Sequence, residues 1–219
     1  MHAAEHWQDV YSKKSPESVS WFQATPTLSP VFIRQVAPAR DAHILDVGGG
    51  ASTLVDTLLD AGYANVTVLD LAPAALVHAR ERLGVTADAV TWLAADVLTV
   101  ALPAASIDVW HDRAVFHFLT QPEARAQYLA QLRHVLRPGG YVIIATFAED
   151  GPMRCSGLEV ARYSAHELHL MLGDEFALVT SEREVHTTPS GSSQAFTYCV
   201  CRWLPARQLP AVAAPESEG

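Results

Sequence analysis

Three aspartates succeed one another along the first half of the chain, each at the end of an apolar run: Asp46 in HILDVGGGAS, Asp70 in NVTVLD and Asp96 in AVTWLAADV. Asp46 stands two residues before three consecutive glycines, Gly48, Gly49 and Gly50. A glycine turn after a strand lets a ligand approach the backbone closely, and in an open parallel sheet such turns lie beyond the carboxyl ends of the strands, where strand order reverses. A pyrophosphate at that place would lie beside the Asp46 carboxylate, and two like charges in a low-dielectric crevice cost several kcal/mol. The dinucleotide pattern G-x-G-x-x-G is also incomplete, because Gly48 and Gly50 match while the third position is Thr53. These two features set back a nicotinamide-dependent oxidoreductase. They favour a nucleoside ligand that carries positive charge and no phosphate.

A second group of chemically capable residues lies near the ends of two later apolar runs. WHDRAVFHF supplies His111, Asp112, Arg113, Phe116 and His117, and IATFAEDG supplies Phe147. His111 and Asp112 are the candidate catalytic pair, since transfer to a weak nucleophile needs a base. Each has a plainer alternative: His111 as a packed strand residue, Asp112 as the cap of the next turn. Phe116 and Phe147 are candidates to line a substrate pocket, as are Arg154, Arg162 and Tyr163 in the turn-rich stretch DGPMRCSGLEVARYS. Cys155, Cys199 and Cys201 form neither a paired framework nor a metal-type C-x-x-C motif, so no metal is expected and the thiols read as buried.

Positioning these residues falls to an alternation of strands and helices. Apolar, β-branched runs at 43–48, 65–70, 89–96, 106–112 and 140–147 predict five parallel strands with crossover helices on both faces of the sheet. Pro73 opens one helix that Gly84 ends, and Pro122 opens another whose stripe of Tyr128, Leu129, Leu132, Val135 and Leu136 is stopped by RPGG. After residue 150, SAHELHLMLG reads as a helix. EFALVTSEREVH and SQAFTYCVCRW read as an antiparallel strand pair joined by TTPSGS. The expected product is an α/β three-layer, Rossmann-like sandwich with a seven-stranded, mostly parallel sheet and an antiparallel last strand. Its domain would span 40–204, behind an N-terminal covering segment (1–39) and ahead of a disordered Pro/Ala-rich tail (205–219).

The chain has 219 residues, 49% of them hydrophobic, enough for one domain with a substantial core. A formal charge of −9 with no basic cluster argues against nucleic acid and against an anionic membrane surface. No apolar run approaches the roughly 20 residues that span a bilayer, and the start lacks the pattern of a secretory signal. The expectation is a soluble, cytoplasmic protein, monomeric or homodimeric.

ILDVGGGAS resembles the D-x-G-x-G-x motif of class I S-adenosylmethionine-dependent methyltransferases, with Ser52 where the third family glycine would be. The likeness runs from about residue 40 to 147 and includes LRPGGYVIIATF, which is similar to the family's loop and fifth strand. It implies S-adenosylmethionine as cofactor. By the same resemblance Asp70 takes the ribose hydroxyls with Leu71 beside it, and Asp96 with Val97 reads the adenine. Asp46, Gly48, Gly49, Gly50 and Ser52 lie by the amino-acid end, and Asp112 is a further cofactor contact. The segment EHWQDVYSKKSPESVSWFQ resembles the aromatic lid of thiopurine-type methyltransferases and of the lysine methyltransferases of translation elongation factor 1A, which implies that Tyr11 and Trp21 close over the cofactor. HDRAVFHFL stands where amine-methylating nucleic-acid enzymes carry N-P-P-Y, which sets base methylation back. It also partly echoes the lysine enzymes' D-K-G-T-(L/F)-D, with Asp112 kept. The implied acceptor is a small molecule. The alternatives are a protein lysine and a catalytically silent cofactor-binding module.

Overall fold

The computed structural model describes residues 3–205. Helices α1 (Ala3–Lys13) and α2 (Leu28–Val36) precede the first strand. The strands β1 (His43–Val47), β2 (Asn65–Asp70), β3 (Val90–Ala94), β4 (Ile107–Arg113) and β5 (Leu136–Phe147) pair in parallel. Helices α3 (Leu54–Asp60), α4 (Pro73–Leu83) and α5 (Pro122–Val135) connect most of them. A two-residue pair, β6 (Arg154–Cys155) with β7 (Leu158–Glu159), lies apart from the main sheet. It is followed by α6 (Ala165–Leu172), β8 (Phe176–Thr187) and β9 (Ser193–Trp203). The main sheet has seven strands in the order β3-β2-β1-β4-β5-β9-β8. β9 alone runs opposite to the other six, being antiparallel to both β5 and β8. The seven-stranded α/β fold with a reversed last strand is therefore the one expected, and strand order reverses between β1 and β4.

The period of two along each strand divides the core. Ile44, Val68, Val109 and Ile143 face α2 and α3, where Phe32, Ile33, Leu54 and Leu58 meet them. Leu45, Val47, Trp110 and Ile144 face the opposite layer, against Tyr128 and Leu132 of α5 and Leu168 of α6. Ile33 is wholly buried, so α2 belongs to the core although its residues fall within the stretch expected as a covering segment. The helix ends follow their sequence signals. Gly84 closes α4 with φ +59, and Ser164 with Glu167 forms a capping box at α6.

β5 starts earlier than its apolar run suggests. Leu136 already pairs with Ile107, and the register then shifts before Tyr141 pairs with Val109. RPGG is thus a bulge inside the strand and not a loop before it. Gly139 sits at φ +84, and a Cβ on Gly140 would lie 2.8 Å from the Arg137 carbonyl oxygen, so both positions require glycine. The connection from β3 to β4, residues 95–106, carries no helix. Residues 206–219, which hold most of the tail expected to be disordered, lie outside the described residues.

Candidate active site

The glycine turn begins where β1 ends. Gly48 and Gly50 adopt φ +67 and +27, in the left-handed region that favours glycine. The turn is also packed on every side. A Cβ on Gly48 would come within 2.1 Å of the Val115 side chain, one on Gly49 within 2.4 Å of Asp46 Oδ2, and one on Gly50 within 2.4 Å of Asp70 Oδ2. Two buried carboxylates are therefore pressed against backbone that has no side chains to shield them.

Two adjoining cavities lie at the carboxyl edge of the sheet. The larger spans about 990 Å³ including its open mouth and is lined by Asp70, Leu71, Asp96 and Val97 from the ends of β2 and β3, together with Trp7 and Phe118. The smaller, about 550 Å³, is lined by Asp46, Gly49, Ser52, Ser29 and His111, with Phe22 and Pro26 among its outer residues. Gly48, Tyr11, Trp21 and Arg113 line both, so they stand where the cavities meet. Gly50 lies behind the turn, against Asp70 and Ala75.

The carboxylates differ in what they bind. Asp70 Oδ1 accepts the Ala72 amide at 2.8 Å. Burial pushes the Asp70 carboxyl up to about 7, with the Ala72 amide opposing and the Asp46 charge reinforcing that rise. Asp96 Oδ1 accepts the Leu98 amide at 2.9 Å. Asp46 Oδ1 accepts His111 Nδ1 at 2.7 Å, while its Oδ2 is buried without a partner. Two other groups that line the larger cavity are held protonated: burial pushes the Tyr11 hydroxyl well above its usual range and the Cys155 thiol up to about 12.

The N-terminal segment covers this edge and is tied down from both sides. Trp21 Nε1 donates to the Tyr11 hydroxyl at 3.2 Å, and Tyr11 packs on Ala51, Ala72 and Ala75 with Trp7 and Trp21 against the same cluster. Arg113 Nη1 donates to the Trp21 carbonyl at 3.0 Å and Nη2 to Glu184 at 3.3 Å, with its guanidinium 4.2 Å from the centre of the Phe196 ring. Glu184 also accepts from Gln23 and Thr27, and the His186 ring bonds the Ser20 carbonyl at 2.8 Å.

Several sequence-based candidates sit elsewhere. Successive strand residues point to opposite faces, so His111 reaches the cleft and Asp112 does not. Asp112 is fully buried on the α5 side and accepts from the Val115 and Phe116 amides and, at 2.6 Å, from the Tyr128 hydroxyl. It is a cap of the Phe116–Phe118 turn, which corrects its expected catalytic and cofactor roles. Phe116 packs in the core on Tyr128 and Tyr163, and Phe147 on Phe196, so Phe116, Phe147 and Tyr163 line neither cavity. Arg154 is exposed and pairs with Glu159 across β6 and β7, and Arg162 donates to the Gly151 carbonyl. Neither of these arginines lines a cavity, which corrects their expected substrate contacts. Trp7, Ser29 and Cys155 line the cleft without having been expected there, and Arg113, named among the chemically capable residues at the end of β4, lines both cavities. Arg113 had a readable signal, a charge ending a buried strand, whereas nothing in the sequence marks Ser29. Among the described residues no cluster of His, Cys, Asp or Glu is placed to hold a metal ion.

A family model described as a methyltransferase domain matches residues 44–140, the stretch that builds the glycine turn, the carboxylates and the first five strands. The match supports the resemblance of this stretch to the class I S-adenosylmethionine-dependent methyltransferases. Over 118 residues the chain is 37% identical to the ubiquinone/menaquinone biosynthesis C-methyltransferase UbiE of Paracoccus denitrificans, covering 52% of the chain and 46% of that relative. Over 176 residues it is 23% identical to the eEF1A lysine and N-terminal methyltransferase of Danio rerio, covering 79% of the chain and 25% of that relative. The chain thus spans less than half the length of either. Among solved structures, one from work on the conversion of a disulfide bond into a thioacetal group during echinomycin biosynthesis superposes with a TM-score of 0.75. That superposition has 20% identity and covers 93% of both chains, a likeness of fold.

Proposed function

We propose that this chain binds S-adenosylmethionine across the two cavities and transfers its methyl group to a small-molecule acceptor. The observation that carries the reading is the Asp46–Asp70–Asp96 series around a turn of glycines that leaves no room for side chains. The residues fit the group. Asp70, Leu71, Asp96 and Val97 would hold the nucleoside in the larger cavity, with Trp7 and Phe118 as apolar walls. Asp46 and the glycine backbone would hold the amino-acid end, where an unpartnered carboxylate oxygen suits an ammonium. The bound group supplies an activated methyl on a cationic sulfur. The protein aligns the acceptor with it and keeps water out beneath Tyr11 and Trp21.

The groups lining the cleft offer little help in removing a proton. Both ring nitrogens of His111 are engaged, with Asp46 and Ser29, and Tyr11 and Cys155 are held protonated. An acceptor atom that is nucleophilic without a base, such as a thiolate, an amine or a stabilised carbanion, fits this cleft best. A second reading, methylation of a protein lysine, is favoured by the eEF1A methyltransferase relative, whose match extends over 79% of the chain. Against it, Asp112, the acidic residue that the two motifs share, serves here as a buried cap. Labelled methyl from S-adenosylmethionine, offered in parallel to a metabolite extract and a protein extract, tests the choice. Label in low-mass products is expected, and label only in protein would overturn the small-molecule reading.

A further inference from the structure

Beneath the smaller cavity four polar side chains from four different elements form one buried chain. His111 Nδ1 meets Asp46 Oδ1 at 2.7 Å, Ser29 Oγ meets His111 Nε2 at 2.9 Å, and the Tyr198 hydroxyl meets Ser29 Oγ at 3.1 Å. Asp46 is 3% exposed, His111 2%, Ser29 1% and Tyr198 0%, so water does not complete these bonds. Beyond Tyr198 lies Arg113, whose guanidinium faces the phenol. The chain thus has a carboxylate, which only accepts, at one end and a guanidinium, which only donates, at the other. The carboxylate end makes His111 Nδ1 the donor to Asp46, while in the Tyr198–Ser29 pair either hydroxyl can donate.

The consequence falls on Asp46. With Oδ1 held by His111, the carboxyl plane is set and Oδ2 is left buried and unpartnered beside Gly49, facing the turn that the ligand must approach. We propose that His111 is a positioning residue for ligand binding. It does not touch the reacting atoms, but through the Tyr198–Ser29–His111 chain it aims Asp46 Oδ2 at the cationic ammonium of the ligand's amino-acid end. This rests on the S-adenosylmethionine reading above and gives His111 a role other than that of base.

The test compares two ligands that differ only at the group concerned. S-adenosylhomocysteine carries the amino-acid end, and 5′-methylthioadenosine has the nucleoside without it. Calorimetric titration of His111→Leu is expected to show S-adenosylhomocysteine weakened by about tenfold or more while 5′-methylthioadenosine stays within about twofold, because only the former needs an aimed carboxylate. His111→Asn, whose amide can still donate to Asp46 Oδ1, is expected to retain S-adenosylhomocysteine binding to within about threefold. Should His111→Leu fail to fold, Ser29→Ala serves instead, with a smaller but equally selective loss expected. Equal weakening of both ligands, unchanged binding of both, or an Asn variant as impaired as the Leu variant would each overturn the proposal in favour of simple packing. If the unaltered chain bound neither ligand, the cofactor reading itself would fall, and the inference with it, a result distinct from any selective outcome.

Discussion

Asp70 concentrates much of the site's chemistry in one side chain. Its carboxyl is raised to about 7, chiefly by burial, so near neutral pH it is only partly ionised. A folded value above the unfolded one means that its contribution to stability is full below about pH 4 and is lost as pH rises through 7. Asp70→Asn is therefore expected to raise the melting temperature of the ligand-free protein at pH 8, with an upper bound of about 4 kcal/mol, and to leave it nearly unchanged at pH 4. Ligand hydroxyls that donate to the carboxylate favour its ionised form. S-adenosylhomocysteine should then bind more tightly as pH rises from 6 to 8, and calorimetry on Asp70→Asn should give a flat profile with about 2–4 kcal/mol of affinity lost. An unchanged affinity in that variant would remove Asp70 from the site. Gly50→Ala tests the same contact from the other side. Its Cβ would press on Asp70 Oδ2 and on Ala75 Cβ at 2.9 Å while forcing a strained φ, so lower stability together with lost binding is expected.

Among the elements, the N-terminal segment divides into two parts with different attachments. α2 is core, whereas α1 and the Pro16–Ser18 turn lie over Ala51, Ala72 and Ala75 through Tyr11, Trp7 and Trp21. Deleting residues 1–22 should accordingly lower ligand affinity more than it lowers melting temperature, since the sheet and α2 keep their packing. Proteolysis at the exposed Lys13 or Lys14 should slow when S-adenosylhomocysteine is added, and equal cleavage with and without it would argue that the segment only packs. The strands and most helices were legible because their signals are local: β-branched runs, Pro at a first turn, Gly past a last one. The extent of β5 was not, because a bulge depends on which neighbour the strand pairs with. The site divided in the same way. The glycine turn and its aspartates could be read from motif order, but Asp112 and Phe147 could not be placed, since a strand residue's chemistry gives no sign of which face it takes, and neither could Phe116 and Tyr163, which a short turn and a loop fold back into the core. Arg154 and Arg162 misled for a related reason, a variable loop being a poor guide to where its arginines point.

For the whole molecule, the charge of −9 and the carboxylates at the cleft act in the same direction. A pyrophosphate ligand meets repulsion at long range and again beside Asp46, whereas a cationic one meets neither. S-adenosylhomocysteine at about 100 times its dissociation constant should stabilise the fold by about 2.7 kcal/mol, visible as a raised melting temperature. NAD at the same concentration should leave it unmoved. A larger shift with NAD would reverse the ligand assignment. Among the described residues no helix is long and apolar enough to cross a membrane.

The strand order has a bearing on how the chain emerges from the ribosome. β8 touches the sheet only through β9, which is made after it, so a nascent chain halted before residue 193 has five parallel strands and an open edge along β5. The same hairpin carries Glu184 and His186, which fasten residues 20–27, part of the cleft cover that is synthesised early. This early-made part of the cover therefore waits for nearly the last-made strand, and until then both it and the β5 edge stand exposed. Translation arrest or nonsense truncation within the final hairpin should yield a species that keeps the glycine turn but is prone to aggregate, and so a natural client for chaperones.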